Sequence, residues 1–520
     1  MPGVRRAALG VDHAVRRGSR RGGRRGRRRA ARPEPGRHHG RVRRALRRPV
    51  DPRARLARGQ HRARHRAQGH GGGGARRVPR GQVRHVRPPP LRRRGLAVAG
   101  MSRGGAGVVS PYTGLVEHAH PMAFTPDAIP DALYSGRSAD TGFLTGTESE
   151  RFSMGPGGSR MEARRSCIGE AVERMSLAGA PGGFRAPLGA DARQVGPDAF
   201  QRFHPTQRED PAFHYERAQA GDLLTWMPAR SLHRGDAVHV PAQMVVFDDP
   251  HRADGHREPH VEPATSSGVA AGPHFGFAAG RAVLELIERD AFQRSWLRGS
   301  TPPAFDWRGS SRLSDATLRE LERLEELCGR FGASFTVRVL DAAADVPVLL
   351  AVMRSDRIGV AVGCAADFRL DRAILNAVRE ALHTHNWCLR LLAEPTIDPE
   401  DVVEFEDHIR LHCRPSARPL TAALDGSDER VAAIGGPDSW AEVVAGLDRE
   451  GIEVLLADIT APEVRAAGFH VVRALSPDLV ALDVVHAARF LGHPRLYRRW
   501  RDGPAIDGPA DLVHVPHPFP

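Results

Sequence analysis

Apolar residues recur at the three- and four-residue spacing of an amphipathic helix in four stretches of the chain. In the first stretch Ile168, Val172 and Met175 form an apolar stripe, whereas most residues between them are polar. The pattern predicts four helices, over residues 159–178, about 275–298, about 314–331 and about 371–392. The last helix is expected to begin at an Asp371 cap, because a short polar side chain can accept hydrogen bonds from the first free backbone N–H groups.

Short runs rich in β-branched residues lie between and after these helices and predict strands. They are found at 237–247, 335–340, 347–353, 453–459 and 469–475. Residues 101–158 are rich in Gly, Ser and Pro, and we expect loops there with an edge strand or two. The stretch 265–272 consists of small residues and is expected to turn into the second helix. Because strands and helices are interspersed, the sequence predicts a mixed α/β fold.

Charge divides the chain into a basic end and a mildly acidic remainder. Residues 1–100 hold 32 Arg against three acidic residues and have no aromatic side chain. Such a segment cannot bury enough apolar surface to offset its ordering entropy, so we expect disorder. It is an arginine-rich arm that binds nucleic acid, a plain disordered tail or, as we prefer, translated upstream sequence with the true start at Met101. The predicted organisation is therefore 1–100, a loop and strand region at 101–158, and a main domain at 159–520.

Several classes of protein are excluded by what the sequence lacks. No run of about 18 apolar residues is present, which argues against a membrane span. No apolar core follows the N-terminal charges, which argues against a secretory signal. The five cysteines are dispersed without a C-x-x-C pair, which argues against a disulfide framework or a thiolate zinc site. These features together predict a cytoplasmic protein.

The pentad Glu-x-x-Glu-Arg occurs once in each of the first two predicted helices. Its members are Glu170, Glu173 and Arg174 in the first and Glu285, Glu288 and Arg289 in the second. Carboxylates at i and i+3 point the same way, about one turn apart, and can share a divalent cation. Either helix alone is as readily interpreted as a solvated face with an i, i+4 ion pair. The repetition favours two pairs that hold metal and nucleotide phosphates between them.

Two further features accompany the pentads. Ser266, Gly268 and Gly272 precede the second helix, where small residues would let backbone N–H groups approach an anion. The sequence ends on alternating prolines at Pro516, Pro518 and Pro520. Prolines stiffen a chain in extended form, so little entropy is lost when such a tail enters a narrow pocket. A frayed terminus is the alternative for this tail.

These motifs, taken in order, resemble those of the YcaO family. Five segments carry the resemblance, namely Ser166–Arg174 (S-x-x-x-E-x-x-E-R), Thr265–Gly272 (T-S-N-G-x-A-x-G in the family), Glu285–Ala291 (E-L-I-E-R-D-A), Asp458–Thr460 (D-x-T) and Pro516–Pro520 (P-x-P-x-P). The resemblance runs from about residue 105 to the last residue, and any one motif alone is weak. It implies that 159–520 is a YcaO domain, in which helices that carry an acidic Mg-nucleotide site pack on β-sheets.

What the resemblance implies for function is ATP- and Mg²⁺-dependent activation of a peptide backbone amide. In azoline-forming members a Cys, Ser or Thr side chain of a ribosomal precursor peptide attacks the preceding carbonyl, whose oxygen is then phosphorylated by ATP. The implied metal ligands are Glu170, Glu173, Glu285 and Glu288. The implied nucleotide-binding residues are these four with Ser166, Arg174, Ser266, Ser267, Arg289 and Glu380. The family analogy places the terminal carboxylate of Pro520, presented by Pro516 and Pro518, near the role of general base.

The resemblance also implies partners. These are the precursor peptide, a separate E1-like partner that recognises its leader, and in some systems a flavin-dependent azoline dehydrogenase. The sequence departs from the family pattern at Pro156, Ser267, Phe277 and His383, and the departure at Phe277 removes one carboxylate. A degenerate, non-catalytic scaffold or peptide-binding subunit is therefore the alternative function. Thioamide formation, a sister chemistry, is disfavoured by the proline tail.

Overall fold

The structure, a computed structural model, describes residues 105–520 except 124, 141, 143–150, 180–181, 248–256 and 499–504. The predictions for residues 1–100, including disorder and a start at Met101, lie outside the described residues.

Eight α-helices lie in the described part of the chain. They are α1 (Gly105–Val108), α2 (Arg160–Gly179), α3 (Phe275–Leu297), α4 (Asp315–Arg330), α5 (Leu370–Leu391), α6 (Phe405–His412), α7 (Trp440–Arg449) and α8 (Pro462–Ala466). The four helices predicted from apolar spacing are confirmed as α2 to α5. None of the eight is long and apolar enough to cross a membrane.

The start of α5 differs from the prediction. Arg369 holds the N-cap position, and Asp371 lies inside the first turn. The Asp371 carboxylate accepts hydrogen bonds from the backbone N–H of Ser314 at 2.9 Å and from its hydroxyl at 3.0 Å. Because Ser314 is the N-cap of α4, Asp371 fixes the start of a neighbouring helix and not that of its own.

Fourteen strands form three sheets among the described residues. They are β1 (Val116–Pro121), β2 (Ala132–Ser138), β3 (Phe152–Gly157), β4 (Phe184–Pro187), β5 (Leu223–Ser231), β6 (Ala237–Pro241), β7 (Val269–Gly272), β8 (Ala304–Phe305), β9 (Ala333–Leu340), β10 (Val348–Ser355), β11 (Ala361–Ala366), β12 (Arg430–Val431), β13 (Leu455–Asp458) and β14 (His470–Leu475). The strand orders are β1-β2-β3, β11-β10-β9-β8-β12, and β4-β5-β13-β14-β7 with β6 also paired to β5. The predicted mixed α/β class is confirmed.

Several strands were not expected from the sequence. The region predicted as loops with an edge strand or two contains the whole of the β1-β2-β3 sheet. The small residues predicted as a turn end in β7, and β11 was missed entirely. All six residues of β11 are buried, so the strand lacks the alternation of apolar and polar positions that marks a half-exposed strand.

Helix α3 lies between the two larger sheets, and its apolar side chains share one core with β10, β11, β13 and β14. Helix α5 covers the opposite face of the five-stranded sheet, where it packs with α4. Helix α2 packs against the three-stranded sheet and against the outer face of the six-stranded sheet. The helices that carry the acidic motifs are therefore buried between sheets.

Glycines bring two strands into direct contact with helix backbones. A Cβ on Gly155 of β3 would lie 2.0 Å from the backbone nitrogen of Cys167 in α2. A Cβ on Gly363 of β11 would lie 2.3 Å from the backbone nitrogen of Ala381 in α5. Only glycine permits this approach, which places the glutamates of each helix beside the backbone of the strand.

Candidate active site

Glu170 and Glu173 project from α2 toward two different strands. One oxygen of Glu170 accepts a hydrogen bond from the Met154 N–H of β3 at 2.9 Å, and the other accepts from the Arg174 guanidinium at 2.7 Å. Glu173 accepts from the Ala271 N–H of β7 at 2.6 Å. The i, i+3 pair of the first pentad thus bridges two sheets.

The second pentad is arranged in the same way on α3. Glu288 accepts a hydrogen bond from the Ala366 N–H of β11 at 3.1 Å, and the Gly268 N–H stabilises the Glu285 carboxylate. The Arg289 guanidinium lies 3.6 Å from a carboxylate oxygen of each of these two glutamates.

Glu380 of α5 completes the group. Its carboxylate accepts a hydrogen bond from the Cys364 N–H of β11 at 2.7 Å. Each of β3, β7 and β11 is the last strand of its sheet, so one row of its N–H groups has no partner strand. Four of the five glutamates bond to N–H groups of these three edge strands, and Glu285 bonds to that of Gly268, the residue before β7. The site therefore lies where the edges of three sheets meet.

The carboxylates repel one another. Burial raises the pKa of Glu173 to about 8, with Glu285 and Glu170 adding to the effect. Burial likewise raises the pKa of Glu288 to about 8, with a further contribution from Glu380. The pKa of Glu380 rises to about 7 and that of Glu285 also rises, in both cases first through burial and against the charge of Arg289. The five glutamates therefore form one acidic cluster, whose burial and mutual repulsion outweigh the positive charge of Arg289 beside it.

The proline-rich tail reaches this cluster. Residues 516–519 are buried, and the Phe519 side chain is fully enclosed. The Arg289 guanidinium carbon lies 4.4 Å from the centre of the Phe519 ring, and its Nη1 lies 3.5 Å from the Pro520 carbonyl oxygen. The tail is packed rather than frayed, and its last residue meets the arginine of the second pentad.

The remaining predicted site residues lie outside the acidic cluster or at its border. Arg174 holds Glu170, as described above. Ser166 and Ser266 are exposed, whereas Ser267 is buried. Gly268, which follows, has φ +81°, and a Cβ there would lie 2.5 Å from the Ala474 carbonyl oxygen. Gly268 thus permits close packing on β14. The expected approach of this segment to an anion stays a prediction.

Three departures from the family pattern can be located in the structure. The Phe277 ring packs on β7, so that a Cβ on Gly272 would lie 2.5 Å from its Cδ1. His383 faces Asp131, with Nε2 3.6 Å from a carboxylate oxygen. Pro156 lies in β3 opposite Leu133.

Arg473 of β14 was missed by the sequence reasoning. It is buried, and it donates to the Thr265 carbonyl at 2.6 Å. Burial lowers its pKa to about 10, while the nearby charges of Glu262 and Glu285 favour its charged form. The available signal was an arginine in an otherwise apolar strand, His-Val-Val-Arg-Ala-Leu, where an inward charge implies a buried partner.

The donor chemistry of the cluster fits a hard divalent cation, because carboxylate oxygens are the ligands that Mg²⁺ prefers. Among the described residues, no group of three or more His, Cys, Asp or Glu side chains is closed around one point as a preformed metal site. Each backbone contact engages one oxygen of a glutamate, so carboxylate oxygens remain that can turn toward a ligand. The roles of Glu170, Glu173, Glu285 and Glu288 as metal ligands stay a prediction.

Three solved structures show the same fold. A heterocyclase in complex with substrate and cofactor aligns with a TM-score of 0.62 at 22% identity, over 79% of this chain and 56% of that chain. A YcaO protein from Methanopyrus kandleri bound with AMPPCP and Mg²⁺ aligns with a TM-score of 0.51 at 18% identity, over 75% and 91% of the two chains. The E. coli microcin synthetase McbBCD complex gives 0.50 at 15% identity, over 78% and 96%. This chain thus spans little more than half the length of the first heterocyclase.

No curated protein matches the chain. A family model described as YcaO cyclodehydratase, ATP- and Mg²⁺-binding, matches residues 154–480, which is more than half of the 520 residues. The chain belongs to the YcaO family.

Proposed function

We propose that this protein is an ATP- and Mg²⁺-dependent cyclodehydratase that converts Cys, Ser or Thr residues of a ribosomal precursor peptide to azolines. The observation that carries the proposal is a cluster of five half-buried glutamates, two of which lie 3.6 Å from Arg289, the residue that also contacts the proline tail. A surface helix with ordinary ion pairs would show neither the burial nor the mutual repulsion of these carboxylates.

The glutamates support binding of a magnesium nucleotide. Mg²⁺ is usually held by one or two carboxylates together with substrate phosphates, and not by a closed cage of protein ligands. Glu170, Glu173, Glu285 and Glu288 are the residues that would hold it, with Glu380 beside them. The bound nucleotide supplies the phosphoryl group that makes the amide oxygen a leaving group. Arg289 and Arg473 add the positive charge that anionic phosphates require.

The tail supports a role in proton transfer. The cyclisation needs a base that takes the proton of the attacking thiol or hydroxyl. The contact between Arg289 and Pro520 would hold a carboxylate of that residue beside the acidic cluster, and the buried Pro516 and Pro518 prevent it from swinging away. We therefore propose Pro520 as the site of the base, with Pro516 and Pro518 as the residues that present it.

Partners and location follow from the same proposal. The structural neighbours include a heterocyclase with substrate and a multi-subunit microcin synthetase. We infer that a separate E1-like protein presents the peptide and that a flavin-dependent dehydrogenase can act afterwards. All five cysteines are buried free thiols, in keeping with a cytoplasmic protein.

The test is a reconstitution with ATP, Mg²⁺, the partner protein and a precursor peptide rich in Cys, Ser and Thr. Mass spectrometry should show the loss of one water per heterocycle, with one phosphate released for each. An unchanged peptide mass and no phosphate release would refute the proposal. A Glu288→Gln variant is the matched control, because it removes one charge with little change in shape.

One observation favours a second function, a non-catalytic scaffold. Phe277 lies in the first turn of α3, where the family pattern has a carboxylate, and its ring covers Gly272. Calorimetric titration with a Mg²⁺ complex of a nonhydrolysable ATP analogue distinguishes the two functions. A catalytic subunit should bind the analogue, whereas a scaffold should show no binding.

A further inference from the structure

We infer that His408 and His412 are positioning residues that hold the proline tail in register at the acidic cluster. This inference rests on the proposed function in one respect, namely that the position of the tail matters for turnover. The contacts that carry it are independent of any family motif, because neither histidine belongs to the segments that gave the resemblance.

The tail runs along α3 toward the acidic cluster. The indole N–H of Trp296 donates to the Val515 carbonyl at 3.0 Å, and Phe519 packs on Phe292 with ring centres 4.7 Å apart. Arg289 meets the tail at Phe519 and Pro520. Residues 289, 292 and 296 are spaced i, i+3 and i+7, so they form one face of the helix. The tail therefore runs antiparallel to α3, so that its later residues lie beside earlier residues of the helix, toward Glu288.

Two histidines of α6 hold the tail from another side. His412 Nε2 lies 2.7 Å from the Pro516 carbonyl oxygen, and His408 Nδ1 lies 2.9 Å from the His517 carbonyl oxygen. A carbonyl oxygen only accepts, so the His412 imidazole must donate through Nε2. His408 Nε2 also lies 2.8 Å from the Val484 carbonyl oxygen, so a neutral His408, which has one N–H, donates to one of its two carbonyl neighbours at a time. Histidines at i and i+4 lie on the same face of a helix, which matches them to successive carbonyls of an extended chain.

The side chain of His517 is held in turn. It stacks on His408 with ring centres 3.9 Å apart and planes inclined by 13°. Its Nε2 donates to the Asp483 carbonyl at 2.9 Å. All three histidines are at most 2% exposed. The backbone and the His517 side chain of this stretch of the tail are thus both held by contacts with the rest of the protein. These contacts determine the position of Pro520 relative to the acidic cluster.

Prolines explain why side chains must hold the tail. Pro516, Pro518 and Pro520 have no N–H, so the tail cannot pair as a strand through a regular ladder. Its carbonyl groups remain as acceptors, and a buried carbonyl without a donor is unfavourable. Trp296 and His412 supply donors to the carbonyls of residues 515 and 516. His408 Nδ1 faces the next carbonyl, that of residue 517, and shares its one N–H between this carbonyl and that of Val484.

The experiment compares variants that keep the ring with variants that keep the donor. His412→Phe and His408→Phe retain an aromatic ring but lose the hydrogen bond. His412→Gln and His408→Asn place an amide N–H near the position of the bonding ring nitrogen. His214→Phe, at an exposed position, is the control. Each folded variant is measured for amide hydrogen exchange in a peptide covering residues 505–520 and for ATP-dependent turnover.

We expect the Phe variants to exchange about tenfold faster in the tail, the equivalent of one lost hydrogen bond. Their kcat should fall by about the same factor while KM for ATP stays near that of the parent, and the Gln and Asn variants should recover both values. Unchanged exchange in the tail of His412→Phe would overturn the inference. Faster exchange with unchanged kcat would also overturn it, because the position of the tail would then be irrelevant to turnover.

Failure of the proposed function gives a different result. If the parent protein has no ATP-dependent turnover, the cyclodehydratase proposal fails, whereas the exchange measurement still decides whether the histidines hold the tail. If His408→Phe does not fold, the His412 pair of variants decides alone.

Discussion

Arg289 and Pro520 are in contact although 231 positions separate them, with the arginine Nη1 3.5 Å from the proline carbonyl oxygen. The same guanidinium lies 3.6 Å from Glu285 and from Glu288. None of these three distances is that of a short charge-assisted hydrogen bond, which is about 2.8 Å. Arg289 is therefore shared between the acidic cluster and the tail.

Replacing Arg289 should affect turnover far more than an arginine elsewhere on the surface. We expect Arg289→Met to lower kcat by roughly 100-fold, the order of loss when a preorganised charge-stabilising donor is removed. Arg319→Met, at an exposed position of α4, is the control and should leave kcat within about twofold. A mild effect of Arg289→Met on phosphate release would contradict the proposed role.

Stabilisation by Mg²⁺ should depend on pH. The pKa values of Glu173 and Glu288 are raised to about 8 in the fold, from an ordinary 4.5. Such groups stabilise the metal-free fold fully below pH 4.5, and this contribution is lost as pH rises through about 8. A cation competes with those protons and relieves the repulsion that appears as they leave. The rise in melting temperature with Mg²⁺ should therefore be larger at pH 8.5 than at pH 6; an equal rise at both would argue against carboxylate ligands.

Glu288→Gln should stabilise the metal-free protein and impair the loaded one. The amide keeps an acceptor for the Ala366 N–H but removes one charge from the repelling cluster. At pH 8.5 we expect a gain on the order of 1 kcal/mol in the free energy of unfolding without metal, since each pKa unit corresponds to about 1.4 kcal/mol. The added stability from Mg²⁺ should shrink in the same variant. Glu322→Gln on the exposed face of α4 should change neither quantity.

Acid should weaken the tail through its histidines. Burial lowers the pKa of His412 to about 4, from an ordinary 6.5, and it also lowers those of His408 and His517. Because these values are lowered, the stability they contribute is present above pH 6.5 and is lost as pH falls toward 4. Each such group steepens the loss by up to about 1.4 kcal/mol per pH unit.

The measurement is urea unfolding of the parent and of His412→Gln across pH 4 to 6.5. The free energy of unfolding of the variant should depend less steeply on pH, because the variant lacks a group that is protonated on unfolding. The difference in slope should correspond to about one proton taken up. Parallel curves for the two proteins would contradict the shift assigned to His412.

Direct packing of β11 on α5 predicts a strong effect of a single methyl group. In Gly363→Ala the new Cβ would meet the Ala381 nitrogen at 2.3 Å, and backbone cannot move aside cheaply. We expect a loss of about 1–3 kcal/mol in the free energy of unfolding, together with a weaker hydrogen bond from the Cys364 N–H to Glu380. Gly329→Ala on α4 meets nothing within 4 Å and should be neutral or slightly stabilising. Equal stability of the two variants would exclude this account.

The long amphipathic helices and the pentads on them could be predicted from the sequence because both depend on local spacing. Glu170, Glu173, Glu285 and Glu288 were found in this way, and the structure brings them into one cluster with Glu380. The partners of those glutamates could not be found, because they are backbone N–H groups of β3, β7, β11 and the residue before β7, which no side-chain motif records. β11 itself was hidden by its Ala, Gly and Cys residues, which are buried on both faces.

The proline tail was likewise only partly predictable from the sequence. Its alternating prolines were visible and predicted a stiff, extended end. Its burial was not, because the donors that hold it come from α3 and α6, more than a hundred positions away. His408 and His412 look like two polar residues of a short helix until the chain that they contact is in place. The chemistry of Arg473 was missed for a similar reason, since a strand position alone does not show which acids it faces.

The edge strands β3, β7 and β11, which are covered by glutamates of the site, affect the solubility of the protein as well as its chemistry. An uncovered edge strand is a template on which another chain can add a strand, and charged groups along it discourage such pairing. In this protein the glutamates of the site also cover those edges, so truncating them to alanine would open sites for intermolecular β-pairing. Aggregation of such a variant would be mistaken for a loss of activity. Glu→Gln substitutions are therefore safer than Glu→Ala substitutions for testing this site.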